Sequence, residues 1–266
     1  MSSARRLIAS LVPAFAPAQV PTVDFAALHE IGDRAYQEDV CDWHIEALHA
    51  FWVVCDGAGG HGGGATAARM AADASLRAWR ARPVASTANL AAIIEAANQA
   101  VLLGQRQTLA HQHMRTTIAL LAVDLQEGVL AWGHSGDSRI YAHGAPDDLV
   151  VSRDHSLVRD LLEAGLVDGD ASRQHPRRNI LTAALGNHNT EVQLAQHVFR
   201  RQQVASFLLC TDGFWEPVED DQIGAVLRRH ALPAADAMGG LQHLIQQQAP
   251  AGRDNCTGVL VYVRGS

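Results

Sequence analysis

Apolar positions recur along the chain with two spacings, and the spacing changes several times. Phe51-Trp52-Val53-Val54-Cys55 is a continuous apolar run ending at Asp56-Gly57, which predicts a buried strand meeting a turn. From Gly64 the pattern turns Ala-rich through Arg69, Met70 and Leu76 to Trp79. That predicts a helix stopped near Pro83, with a second from Thr87 to about Leu103. The β-branched and aliphatic stretch from Thr116 to Leu125 predicts a strand, Glu127-Gly128 a turn, and Val129 to Tyr141 a continuing strand. So short a link makes the pair antiparallel. Further along, helices are predicted at 155–164, 221–230 and 234–248. Strands are predicted at 192–199, 207–210 and 259–263, with the first of all near 28–31. Residues 166–179 have little apolar periodicity and read as a surface excursion. Helices following helices and strands following strands favour antiparallel sheets covered by helices over a doubly wound parallel fold.

The whole-chain numbers narrow this picture. At 266 residues, 48% of them apolar, the chain suits one large domain with a sizeable core. A net charge of −7 without a long basic run argues against nucleic acid and anionic membranes as partners. No stretch reaches the roughly 20 apolar residues of a membrane helix. Residues 1–24 read as a poorly ordered leader. Arg5 and Arg6 precede a short apolar run and Ala16-Pro17-Ala18 loosely mimics a cleavage site, but Pro13 and Pro17 interrupt it. The four cysteines form no CxxC pair, which fits reduced thiols and a cytoplasmic location.

Residues 57–62 match GxGxxG between a strand and a helix, the pattern of a dinucleotide loop. A second helix follows the first where that fold needs a parallel strand, and Asp56 would set negative charge against a pyrophosphate. A Walker loop is excluded by the absence of a Gly-Lys-Ser/Thr ending.

The acids carry more information. Asp56, Asp137 and Asp212 each follow an apolar strand run, Asp254 precedes the last strand, and Glu38-Asp39 follows the first. Any one alone is an ordinary turn residue. Together, gathered at one sheet edge, they would repel one another strongly, and hard divalent cations such as Mg²⁺ or Mn²⁺ would relieve that repulsion. Two such ions about 3.5–4 Å apart suit phosphate-ester hydrolysis with water as the nucleophile. His111 and His113 lack a third ligand at zinc spacing and read as an exposed turn.

The ordered series GDRAYQED (32–39), VVCDGAGGHGG (53–63), TTIALLAV (116–123), GDSRIY (136–141), DHSLV (154–158), HPRRNILTAALG (175–186), LLCTDG (208–213) and DNCTGVLV (254–261) resembles the PP2C-type (PPM) serine/threonine phosphatases, most closely their bacterial single-domain members. The resemblance runs from Gly32 to Val263. It implies an α+β, four-layer αββα sandwich over residues 25–266 with a flap at about 157–180. It implies that Asp56 bridges two Mn²⁺ or Mg²⁺ ions, that the Gly57 carbonyl binds one, and that Asp212 and Asp254 complete the first site. Glu38 would serve the second ion with Asp39 outside it, Asp137 would hold a weaker third, and Arg34 would clamp the substrate phosphate. The implied activity is removal of phosphate from phosphoserine and phosphothreonine in proteins, opposing a Ser/Thr kinase, by a monomer. Ala58 stands where relatives carry Met or a His proposed as general acid, and His61 lies nearby. A non-catalytic phosphoprotein-binding module on the same fold is the rival reading, and a nuclease a more distant one.

Overall fold

The computed structural model describes residues 6–11, 22–59, 62–144, 149–168, 175–188, 190–199 and 204–265. The strands are β1 (Arg6–Leu11), β2 (Thr22–Glu30), β3 (Val40–Ile45), β4 (His49–Cys55), β5 (Gly57–Ala58), β6 (Arg115–Thr116), β7 (Ile118–Asp124), β8 (Val129–Ser135), β9 (Arg139–His143), β10 (Leu149–Val151), β11 (Gln193–Val198), β12 (Val204–Cys210) and β13 (Cys256–Arg264). The helices are α1 (Gly63–Ala81), α2 (Thr87–Gln105), α3 (Leu157–Glu163), α4 (Asp212–Trp215), α5 (Asp220–Leu227) and α6 (Ala234–Gln248).

Two antiparallel sheets dominate. One has the order β1-β2-β13-β12-β9-β10 and the other β11-β8-β7-β4-β3, with β5 and β6 paired apart. Strand alternation fills both faces of each sheet. On β4, Trp52 and Val54 point to the partner sheet, while Phe51, Val53 and Cys55 point to α1 and α2. On β2, Phe25 and Ala27 enter the space between the sheets, and Ala26 and Leu28 face α5 and α6. The result is the four-layer α+β sandwich, helices outside and sheets within. Phe25 locks the middle layer edge-on against Trp43 and Trp52, centroids 5.2 and 5.7 Å away. Buried Ala67, Ala68, Ala71 and Ala72 let α1 lie close on its sheet. Ser86 caps α2 by accepting a hydrogen bond from the Asn89 amide.

Three differences from the sequence reading have physical causes. The run from Val129 to Tyr141 is not one strand: it breaks at Gly136, φ 105°, and β8 and β9 join different sheets. Apolar pattern marks strand positions but not which sheet receives them. Strand β3 was not anticipated because its outer residues are polar and half-buried. Within the segment read as a leader, β1 pairs with the edge of β2, Arg6 opposite His29 and Leu11 opposite Asp24. The segment expected to form a flap begins with α3, and a short bridge pairs Ser156 with Leu181.

Candidate metal centre

The acids stand where the chain leaves one sheet for the other or turns out of it. Glu38 and Asp39 end the crossing from β2 to β3, Asp137 lies in the crossing from β8 to β9, and Asp56 follows β4. Asp212 and Asp254 flank the adjacent strands β12 and β13. All these ends meet at one edge of the sandwich. Three close approaches require glycine there. A Cβ on Gly57 would lie 2.1 Å from the Gly64 carbonyl oxygen, one on Gly64 2.7 Å from a Glu38 carboxylate oxygen, and one on Gly32 2.1 Å from the Asp254 carbonyl oxygen.

Electrostatics show how close the carboxyls are. Burial, then the charges of Asp39, Asp212 and Asp137, push Asp56 well above the usual carboxylate range. Burial and then Asp212 and Asp154 do the same to Asp137. Asp39 is pushed up to about 7, chiefly by burial and further by Asp212 and Asp254. Asp212 is raised to about 6 by burial, Glu216 and Asp254. Asp56 and Asp212 lie close enough to interact directly, and two carboxyls so placed are held together only by a proton or a cation between them. Arg34, exposed, is held against Asp254 by an ion pair.

By charge and donor type this set fits hard divalent cations: several oxygen ligands, mutually repelling and drawn out of water. Among the described residues, no three Asp, Glu, His or Cys side chains are arranged as a ready ligand set. The reason is visible in the pairings, since Asp254 is turned onto Arg34 and Asp56 and Asp212 onto each other. Coordination would replace those partners.

Residues that the sequence reading passed over hold the acids in place. Asn255 accepts a hydrogen bond from the Glu38 amide (2.8 Å) and donates to the carbonyls of Ile31 and Tyr36, so one side chain ties down the Arg34–Glu38 loop. Thr117 accepts from the Asp56 amide (2.9 Å) and contacts Ser138 (2.6 Å), linking Asp56 to the Asp137 turn. Thr211 donates to Asp39 (2.9 Å). Trp215 donates its indole N–H to the Asp137 carbonyl (3.0 Å), and the Arg139 guanidinium lies 3.4 Å over its ring. Arg139 in turn grips Asp154 through two bonds of 2.8 and 2.7 Å. His155, beside that acid, accepts from the Gly136 amide. A polar residue next to an acidic motif is a findable signal, but its partner lies up to 224 positions away.

A cavity of about 530 Å³ opens beside the acids, with Asp137, Asp212, Asp254 and Arg34 on its wall and α3 of the flap over it. Asp56, Glu38 and Asp39 are not among its lining residues. His61 lies outside the described residues. His111 and His113 sit half-buried and exposed on a surface turn.

The family model described as Protein phosphatase 2C matches residues 29–245. The serine/threonine phosphatase stp of Listeria welshimeri is 30% identical over 216 residues, 79% of this chain and 82% of that protein. Among solved structures, the Mycobacterium tuberculosis serine/threonine phosphatase PstP/Ppp superposes with a TM-score of 0.77 at 27% identity, covering 93% of this chain and all of the other. A structure of the PstP catalytic domain in complex with two manganese ions gives 0.75 at 25% identity, covering 92% and 99%.

Proposed function

The chain belongs to the protein phosphatase 2C family, and from that premise we propose that it removes phosphate from phosphoserine and phosphothreonine in proteins, using divalent cations held by Asp56, Asp212, Asp254, Glu38 and the Gly57 carbonyl. The observation that carries this reading is the cluster of buried and half-buried carboxyls at one edge of the sandwich, four of them lifted above their ordinary range by burial first and by one another's charge second. Mn²⁺ and Mg²⁺ both suit the donor set, and Asp137 is the candidate for a third ion. When bound, the cations supply Lewis acidity and a water acidic enough to act at neutral pH.

The chain's own residues do the rest. Asp212 and Asp254 lie on adjacent strand ends, so their spacing is fixed by the β12–β13 ladder rather than by loop flexibility. Arg34 offers a planar fork at the mouth of the cavity. Once Asp254 turns to a cation, that fork is released to orient the phosphate bidentately. The flap helix α3, roofing the cavity with Val158 and Leu162, limits water beside the substrate. Asp39, hydrogen-bonded by Thr211, orients the inner acids from behind. A leaving-group proton has no donor at position 58, where Ala58 is found, so water must supply it. Phosphorylated protein targets of a cytoplasmic Ser/Thr kinase are the proposed substrate class, and a monomer is the proposed state. Among the described residues, no helix is long and apolar enough to cross a membrane.

The test is phosphate release from a phosphothreonine peptide with Mn²⁺, with EDTA, and with Asp212→Asn. Turnover that depends on Mn²⁺ and is lost in both controls is expected. Absence of turnover by folded, Mn²⁺-loaded protein across several phosphopeptides would leave the binding-module reading standing.

A further inference from the structure

The cavity beside the acids is larger than a phosphorylated serine or threonine side chain requires, and its second arm has its own chemistry. That arm runs along the outer face of the β2–β13 pair toward the C-terminal end of α6. Ile245, Ala249, Pro250 and Cys256 line it, and Glu30 lies among them.

Charge pairing isolates Glu30. The arginines lining the cavity each already face a carboxylate: Arg34 with Asp254, Arg139 with Asp154, Arg159 with Glu163, Arg178 with Glu216 and Arg253 with Asp33. The lining carboxylates left without an arginine are Asp137, Asp212 and Glu30. The first two belong to the proposed metal centre. Glu30 does not, and among the described residues it forms no ion pair. Its side chain is nine-tenths buried, and its one hydrogen bond comes from the Gln242 amide, 2.8 Å to Oε1. At so sheltered a position the attraction between a carboxylate and a cation is stronger than at a free surface. Gln242 fixes the orientation of the group, leaving Oε2 for a ligand.

We propose that Glu30 is a specificity-determining residue, which receives a lysine or arginine next to the phosphorylated residue of a protein substrate. The reach is suitable. Glu30 is in register with Cys256, two residues from Asp254, or about 7 Å along the strand. An extended peptide advances about 3.3 Å per residue, so a residue one or two positions from the phosphoresidue arrives at this arm. Its aliphatic stem lies on Ile245, Ala249 and Pro250, as long basic side chains do on apolar surface, and its charged head meets Glu30. Acidic residues at that position meet Glu30 head-on and are rejected.

The proposal rests on the phosphatase reading, so the experiment separates the two. Turnover of p-nitrophenyl phosphate by the native enzyme with Mn²⁺ has no second arm to fill and tests the phosphatase reading alone. A panel of phosphothreonine peptides with Lys, Arg, Ala or Glu at each flanking position then tests the arm. We expect kcat/KM to favour a basic residue over alanine at one flanking position by about tenfold, with glutamate below alanine. In Glu30→Gln that ratio falls to within about twofold of unity, with folding verified by thermal melting. Should that variant not fold, Glu30→Asp keeps the charge one methylene further back, and the preference must drop at least about threefold. A native enzyme active on p-nitrophenyl phosphate but indifferent to flanking charge overturns the proposal. So does a preference that survives unchanged in either folded variant.

Discussion

Replacing Arg139 by leucine is the sharpest test of how the Asp137 turn is held. The guanidinium makes two bonds to Asp154 (2.8 and 2.7 Å), contacts Tyr141 and Asp220, and stacks on Trp215 at 3.4 Å. The Arg139 and Asp154 side chains are only 15% and 11% exposed, so solvent screening does little to soften the pair. Leucine leaves the Asp154 carboxylate buried and unmatched, which costs about 3–5 kcal/mol. The lost cation–π contact adds about 1 kcal/mol. The double variant Arg139→Leu with Asp154→Leu removes both charges, and most of the loss should return, because a buried ion pair recovers little more than its own desolvation. The assay is urea unfolding of EDTA-treated protein, since bound cations would add a ligand term to every midpoint. Typical stabilities of about 5–15 kcal/mol leave the single variant measurable. A single-variant loss below about 1 kcal/mol, or a double variant as unstable as the sum of the singles, would refute the reasoning.

Two other outcomes follow from the same geometry. Without metal, Asp39 (about 7) and Asp212 (about 6) bind protons in the folded state that the unfolded chain, near 3.8, has already released. Stability therefore falls as pH rises through those values, by about 1 kcal/mol from pH 6.5 to 8, and Mn²⁺ should cancel the slope. Below about pH 6 the sign stays the same, because the folded state holds extra protons on both Asp39 and Asp212 while the unfolded chain gains one on a histidine. Burial holds His134 down to about 4, so the unfolded chain takes up that proton first and offsets roughly half of the slope; thermal melts across pH with EDTA and with Mn²⁺ check the sign. Asn255→Ala removes the acceptor for the Glu38 amide and two donors to the preceding loop. A drop of roughly tenfold or more in Mn²⁺-dependent kcat/KM is expected, with a loss of about 1–3 kcal/mol in stability; unchanged kinetics would show that Asn255 does not position Glu38.

Most of the elements were legible because the apolar runs are long and their periods distinct. The Ala-rich pattern from Gly64 to Trp79 gives α1, and Phe51 to Cys55 gives most of β4. The acids were legible as a set because each adjoins such a run. What sequence could not carry was the assignment of strands to sheets. Val129 to Tyr141 reads as one strand, since apolar residues resume at Ile140 with no Pro between, yet the chain changes sheets at Gly136 and Asp137 is set at the crossing. The supporting residues were hidden for a related reason. Asn255, Thr117 and Thr211 are ordinary polar residues until folding brings their partners 217, 61 and 172 positions closer.

Those partners share a property that bears on the chemistry. Glu38 is placed through its backbone by a neutral amide, Asp56 through its backbone by a threonine hydroxyl, Asp39 by a second threonine, and the Asp137 turn by an indole N–H. Arginine or lysine in the same positions would have held the acids as firmly. Such a cation would also have neutralised them, lowered their affinity for metal, and had to be expelled before a divalent ion could enter. Neutral donors fix the geometry while leaving the negative charge uncompensated. Arg34 is the exception, the one arginine paired directly with one of the proposed metal-binding acids. Its release would be useful in the proposed reaction, where the fork that Asp254 occupies would hold the phosphate. Entry of a cation at Asp254 and readiness of Arg34 for substrate are thus a single exchange of partners.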